Sequence, residues 1–399
     1  MESTHCLGPR LQLLARALRR PSSRLTAGSK LSKTTVRHKS GPFGYTQAKA
    51  LVYSKCGEPF DSLSIHKHSI APTIPSSSVL VRTLAAPINP SDVNVIQGTY
   101  GAKQALTSLI GTNKPSAVPG NEGVFEVVAV GSSSSELRKG DWVIPAPPQE
   151  GLTPTQVALA SVNPCTAYRI LRSYGPNAGV KAALGMQPLE IGSGKWFIQN
   201  GANSSVGRAA IQLGKLWGLR SINIIRDRDT IKATKALRQE LIDLGANEVV
   251  TEEQFLSRDW KDRLARITNG GREQIGLGLN CVAGQSATAI ARSLGNAATM
   301  VTYGGMARQP IALPVGLIIF KDIRFVGFWL TRWNEHDPMG RLHVLEDILA
   351  LTRSGQFRNV PVEEVPWDWD TDDRTLRVAA QATLEGFRKG KAVYVFGDT

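Results

Sequence analysis

Two arginines flank an aspartate in Arg226-Asp227-Arg228, downstream of a turn of small residues, Asn200-Gly201-Ala202-Asn203-Ser204-Ser205-Val206-Gly207. Guanidinium forks match the oxygens of a phosphate. A turn of this kind at a helix start presents backbone N–H groups with no helical partner, and such groups hold anions. Together the two features describe a dinucleotide site, with a pyrophosphate on the turn and a second phosphate at the arginines. An acidic side chain at the latter place would instead bind a ribose diol. The reading is therefore NADPH over NADH, with Asp227 pointing away or orienting an arginine. The strict G-x-G-x-x-G pattern is absent; Gly201 and Gly207 are its nearest equivalents, and an ordinary strand-to-helix turn would carry the same residues.

The elements that must hold these groups are legible around them. Residues 196–199 are a short apolar run and read as a strand, and 200–205 as the turn. From 206 to 219, apolar residues at 206, 209, 210, 213, 216 and 217 fit one helix face, and 221–225 is the next strand. Helical patterning begins at 163–171. Strands at 248–250, 278–282, 299–303 and 323–328, with helices such as 231–244 and 287–294, continue the alternation to about residue 330. That alternation is the signature of a parallel sheet. Upstream, strands at 48–53, 78–83, 124–130 and 141–144 lie between Pro, Gly and Ser clusters, which predicts a compact antiparallel, barrel-like domain. A helix at 375–387 and a strand at 391–396 close the chain, and that strand is expected to return to the first domain. The fold class is α/β.

Charge is unevenly placed. Residues 1–40 hold six Arg and three Lys against Glu2 alone, so they carry +8 of the formal +14. An acid-poor, Arg- and Ser-rich leader has the composition of a mitochondrial import peptide; a disordered basic tail or a nucleic-acid arm has similar content. With most of the positive charge there, a nucleic-acid role for the body of the chain is disfavoured. No apolar run is long enough to span a membrane, so no membrane insertion is expected. Cys6, Cys56, Cys165 and Cys281 lack C-x-x-C spacing, which argues against a disulfide framework or a structural zinc. His66 and His68 fall on a strand, and His336 and His343 lie far downstream. No metal site is expected, so a Lewis-acid metal is not available to polarise a substrate.

A barrel-like domain joined to a dinucleotide domain is the medium-chain dehydrogenase/reductase plan. Its zinc-dependent members carry a His beside the Glu of a Gly-His-Glu motif; here that motif reads Gly120-Asn121-Glu122-Gly123. The match narrows through Asn89-Pro90-Ser91-Asp92, Gln97-Gly98-Thr99-Tyr100, Asn163-Pro164-Cys165-Thr166-Ala167-Tyr168-Arg169, the turn at 199–207, Arg226-Asp227-Arg228, Tyr303-Gly304-Gly305-Met306 and Phe328-Trp329-Leu330-Thr331-Arg332-Trp333. From about residue 45 to the C-terminus, the chain resembles the mitochondrial trans-2-enoyl-thioester reductases. These combine a GroES-like catalytic domain with a Rossmann cofactor domain.

The resemblance implies NADPH-dependent reduction of an enoyl thioester carried on acyl carrier protein or CoA, in the mitochondrial matrix, by a homodimer. Tyr100 matches the proton-donor tyrosine. A phenol suits the role, because it is neutral at pH 7, donates to a developing enolate and can lose its proton. Asn163 corresponds to a residue near the nicotinamide. Asn203, Ser204, Ser205 and Val206 correspond to the pyrophosphate turn, and Arg226, Asp227 and Arg228 to the surroundings of the ribose phosphate. Tyr303, Gly304, Gly305 and Met306, with Phe328, Trp329, Leu330 and Thr331, line the nicotinamide side. Lys391 lies in a final Gly-Lys that reaches the cofactor in the family; as sequence alone it also reads as a solvated lysine. Arg332 and Arg388-Lys389 are candidates for docking an acidic carrier.

The expected organisation is a leader at 1–40, a catalytic domain at 41–165, a Rossmann domain at 166–350 and a returning segment at 351–399. One stretch departs from the family: between Ile144 and Val162 it has a longer Gly-rich loop and a further strand, whereas 146–161 here is short and Pro-rich. Two other activities fit the same plan, a zinc-free quinone or alkene reductase and an NADPH-binding protein that has lost its substrate wall.

Overall fold

The computed structural model describes residues 41–133, 136–144, 151–172, 190–384 and 390–397. The leader at 1–40 and Arg388-Lys389 lie outside them. The chain divides into two units: one runs to Leu159 and resumes at Pro361, and the other spans Ala160–Val360. The strands of the first part are β1 (Gln47–Val52), β2 (Ser64–Ser69), β3 (Val79–Pro87), β4 (Val124–Val130) and β5 (Trp142–Val143). Next come β6 (Trp196–Gln199), β7 (Arg220–Ile225), β8 (Glu248–Thr251), β9 (Ile275–Asn280), β10 (Thr299–Thr302) and β11 (Arg324–Gly327). The last are β12 (Val362–Trp367) and β13 (Lys391–Phe396).

In the Ala160–Val360 unit, β6 to β11 form one sheet in the order β11-β10-β9-β6-β7-β8, every neighbouring pair parallel. All four residues of β6 are buried. This explains why it reads as a continuous apolar run instead of an alternating one. Strand order reverses between β6 and β9, and open sheets of this type bind ligands outside the carboxyl ends of their strands at such a switch point. One face packs Ile198, Ile222 and Met300 against Ile290 and Leu294; Ile211, Ile225, Leu241 and Val249 form a second buried cluster. Close packing of strand on helix is set by small residues. A Cβ on Gly214 would come within 2.7 Å of the Phe197 ring, and one on Gly278 within 2.7 Å of Ile290.

The other unit holds a sheet in the order β12-β13-β3-β4-β5, in which β12 and β13 are parallel and the remaining pairs antiparallel. Tyr394 of β13 faces Ala86 of β3, so the C-terminal strand closes onto the first part of the chain. β1 and β2 make a separate antiparallel pair. Leu51, Tyr53, Ile88, Val93, Ile96, Trp367, Leu376 and Tyr394 share one core. Residues 145–150 of the short connection lie outside the described residues. Beyond them Thr153 caps a one-turn helix, Pro154–Ala158, through a reciprocal bond with Gln156. That helix packs on β3 and β4 with Val157 fully buried.

Several elements differ from the sequence reading, the helix Pro338–Arg353 among them. β2 and β12 carry many polar or exposed side chains and give no apolar alternation, and Pro90–Gln97, read as a polar turn-rich stretch, is a helix. Pro90 occupies its first turn, where a missing N–H costs nothing.

Candidate active site

The turn of small residues at the end of β6 is built by backbone bonds. Asn200 N donates to Leu279 O and Ala202 N to Ile224 O, so the turn is tied to both neighbouring strands. Ser204 caps the helix Ser205–Leu216, its hydroxyl accepting from Gly207 N at 3.1 Å. Two glycines are obligatory here. Gly201 sits at φ +59°, and a Cβ there would meet the Cys281 sulfur at 2.6 Å; on Gly207 it would meet the Ala202 carbonyl at 2.6 Å. Asn203, Ser204 and Ser205 remain accessible at the helix N-terminus, while Val206 is buried beneath them. Accessible N–H donors above a packed apolar floor fit a pyrophosphate.

A residue missed by the sequence reading braces this turn. Arg208 is buried, its Nε donates to the Asn203 carbonyl at 3.1 Å, and its other nitrogens form a two-pronged pair with Glu240 at 2.7 and 2.9 Å. Glu240 lies on the next helix, Ile231–Leu244, so no local motif announces the pair.

At the end of β7, Arg226 and Asp227 are exposed and Arg228 is half-buried, with its backbone N–H held by the Thr234 hydroxyl at 2.9 Å. Burial, and next the charge of Arg226, lower the Arg228 pKa; Asp229 and Asp227 oppose them. Two guanidiniums close enough to repel fit a dianionic phosphate, which would relieve that repulsion.

The next strand ends rest on a buried amide network. Asn200 Nδ2 donates to Asn280 Oδ1 at 2.9 Å, Asn200 Oδ1 accepts from Cys281 N at 2.9 Å, and Asn280 Oδ1 also accepts from the backbone of Val282 and Ala283. Tyr303 N, Met306 N and Ala307 N then donate to the carbonyls of Asn280, Cys281 and Val282. The segment from Tyr303 through Gly304 and Gly305 to Met306 is thus strapped to β9, with Gly305 and Met306 exposed. Burial raises the pKa of both the Tyr303 hydroxyl and the Cys281 thiol, the latter to about 11, so both are neutral wall groups. Phe328 is buried and stacks on Trp333 at 5.9 Å, which makes it packing. Trp329 and Leu330 are half-buried and Thr331 exposed, at the start of the helix Leu330–His336. Arg332 is exposed, its guanidinium 5.5 Å from the Trp329 ring. Asn163 is the first residue of the helix Asn163–Arg172 in the same unit.

Tyr100 belongs to the other unit. The helix Pro90–Gln97 ends on Gly98 at φ +75°, and the chain doubles back so that Thr99 N and Tyr100 N both donate to Asn94 O. This fixes the half-buried tyrosine just past the helix end. At the helix start lies a charged cluster. Asn89 N donates to Asp92 Oδ2 at 2.8 Å, Asn121 Nδ2 to Asp92 Oδ1 at 2.6 Å, Asn89 Nδ2 to Glu122 Oε2 at 3.0 Å, and Lys391 Nζ to Asn89 Oδ1 at 2.5 Å. Asn89, Asp92 and Glu122 are 2, 4 and 7 % exposed.

Comparison with known proteins follows this geometry. Residues 75–182 match the family described as alcohol dehydrogenase GroES-like domain, and 205–344 the one described as zinc-binding dehydrogenase. Among the described residues no three His, Cys, Asp or Glu converge to hold a metal ion. The position beside Glu122 is an amide that serves Asp92, so the residues do not fit the zinc of that description and no step runs through it. The mitochondrial enoyl-[acyl-carrier-protein] reductase of Schizosaccharomyces pombe is 36% identical over 381 residues, covering 90% of this chain and 97% of the relative. The solved mitochondrial 2-enoyl thioester reductase Etr1p/Etr2p heterodimer from Candida tropicalis superposes with a TM-score of 0.77 at 35% identity, over 88% of this chain and 100% of that one. An Etr1p complex with NADP and crotonyl-CoA matches with the same TM-score, identity and coverage. The chain belongs to the family of mitochondrial enoyl-[acyl-carrier-protein] reductases.

Proposed function

We propose that this chain reduces the C2–C3 double bond of trans-2-enoyl thioesters with NADPH in the mitochondrial matrix, as a step of fatty acid synthesis. The observation that carries the reading is the anion-ready turn at Asn203–Val206 followed by Arg226 and Arg228, on a sheet whose family acts on enoyl thioesters. NADPH, when bound, supplies a hydride for Cβ. Asn203, Ser204, Ser205 and the helix N-terminus hold its pyrophosphate, and Arg226 and Arg228 its 2′-phosphate. Asn163, the Tyr303–Met306 segment and Trp329–Thr331 orient the nicotinamide end. Negative charge develops on the thioester oxygen and Cα. The Tyr100 phenol donates toward that charge and delivers the proton to Cα, leaving a saturated thioester and NADP+.

The physiological donor is read as an acyl carrier protein, whose acidic surface matches the +6 left outside the leader, Arg332 included. A second copy of the chain is read as the partner across β11. This strand ends the parallel sheet, and just before it in the chain Val315 and Ile319 of the helix Val315–Ile319 and Phe320 at its end are 64, 64 and 83 % exposed. A terminal strand of the sheet preceded by exposed apolar side chains supports that pairing. Phe320→Asp should shift the sedimenting species toward monomer; an unchanged dimer would move the interface elsewhere.

The activity test is NADPH oxidation by the purified chain with crotonyl-CoA, run beside a quinone and a simple enone. Turnover only on the thioester is expected; turnover only on the others would replace the thioester with a quinone or alkene substrate. Tyr100→Phe should lower kcat about a hundredfold or more, the range of a lost general acid, with the NADPH Kd unchanged. Wild-type turnover in that variant removes Tyr100 from the proton step.

A further inference from the structure

Lys391 opens β13, a strand paired on both sides, by β12 and by β3. Its ammonium enters the cluster at the start of the helix Pro90–Gln97, which precedes Tyr100, where two buried carboxylates, Asp92 and Glu122, meet Asn89 and Asn121. Two carboxylates taken out of water demand a countercharge and hydrogen bonds to every oxygen they bury. Lys391 supplies the positive charge that both carboxylates feel, and Asn89 relays it: one side-chain atom accepts from Lys391 and the other donates to Glu122. Asn89 is also the residue whose backbone N–H is fixed by Asp92 at the helix start. From there a rigid path leads through Pro90–Gln97 to Asn94 O, which holds the backbone of Tyr100.

We infer that Lys391 is the half-buried counter-ion of the buried Glu122 and Asp92, and that through Asn89 it is a positioning residue for Tyr100. The inference rests on the reading of Tyr100 as proton donor and goes beyond it by assigning what holds that donor in place. It also separates two tasks for one lysine. A cofactor contact acts through NADPH affinity, whereas a counter-ion acts through the helix whose Asn94 carbonyl holds Tyr100. Charge balance distinguishes them: a lost counter-ion is compensated by neutralising its carboxylate, and a lost cofactor contact is not.

The experiment measures kcat and the NADPH Kd of the full chain as wild type, Lys391→Met, Glu122→Gln and the double variant. Lys391→Met should lower kcat about tenfold or more, as coupled neighbours do, and adding Glu122→Gln should return it to within about threefold of wild type. NADPH Kd should stay within about twofold throughout, that is, inside the scatter of uncoupled sites. If the second substitution restores nothing, the counter-ion assignment is overturned. A raised NADPH Kd in both Lys391→Met variants makes the lysine a cofactor contact and overturns it as well. Should Lys391→Met fail to fold, the double variant must fold; an equally unfolded double overturns the assignment. In a Tyr100→Phe background, Lys391→Met should cause little further loss of kcat. A full multiplicative loss there places its action outside Tyr100, while an inert Tyr100→Phe substitution would fault the proton-donor reading alone.

Discussion

The molecule gathers like charges in two places and treats them in opposite ways. At the end of β7, Arg226 and Arg228 repel each other at an accessible strand end, and the pKa of Arg228 is lowered by burial and by that repulsion. At the start of the helix Pro90–Gln97, Asp92 and Glu122 are buried and bonded to amides, with Lys391 set against them. The first cluster lies where a ligand can reach it. The second is closed upon itself. An accessible cluster of guanidiniums is what a phosphate needs, and a buried, hydrogen-bonded one is what a fixed geometry needs.

The largest expected effect breaks the open cluster. Arg226→Ala with Arg228→Ala should weaken NADPH about a hundredfold, since each charge-assisted bond is worth about 1.5–3 kcal/mol and Arg226 is discounted for its exposure. NADH affinity should barely move. The same contrast should appear with salt: raising ionic strength weakens NADPH more than NADH, because screening acts on accessible charges. An unchanged ratio of the two affinities in the double variant would take the 2′-phosphate away from these arginines.

A smaller effect is expected one turn away. Gly207→Ala drives a Cβ to 2.6 Å from the Ala202 carbonyl, a backbone group that cannot rotate aside. The turn must shift, at about 2 kcal/mol. Because the turn serves the pyrophosphate common to both cofactors, NADPH and NADH should weaken together and the melting temperature should fall. A selective loss of NADPH would merge this turn with the arginine site and blur the division of labour drawn above.

The two clusters also differ in how far the sequence announces them. The open one is local. Its strand at Trp196–Gln199, its turn and the helix Ile231–Leu244 lie at the residues that apolar periodicity predicts, because a parallel strand buried on both faces and an amphipathic helix each write their burial into neighbouring positions. The closed one is assembled from afar. Lys391 meets Asn89 across 302 residues; even at the open cluster the brace Arg208 meets Glu240 across 32. Neither distance corresponds to a helix or strand period, so no pattern marks them. β12 escaped for a related reason: Pro366 cannot donate to a ladder and is tolerated because β12 is an edge strand, a status that only the assembled sheet confers. The fold class and the cofactor turn could therefore be read from local pattern, whereas the supports of Tyr100 could not.

The smallest effect tests what the closed cluster is for. Burial pushes Asp92 up and Lys391 down, and in each case it outweighs the opposing partner. The signs agree. A carboxyl raised in the folded state favours folding only at low pH, and that gain is lost as pH rises through its folded value. An ammonium lowered in the folded state favours folding only above its unfolded value, and that gain is lost as pH falls through its folded value. Between the two folded values, holding both groups charged works against folding. A cluster of this kind is retained for geometry at the expense of stability. Neutralising it in balance, with Lys391→Met and Glu122→Gln together, should therefore leave the melting temperature at the wild-type value or raise it, by up to about 1 kcal/mol. Lys391→Met alone should lower it, because a buried carboxylate loses its countercharge. Should the double variant melt as low as the single one, the cluster would be a source of stability, and the contrast between an open site built for a ligand and a closed one built for position would fail.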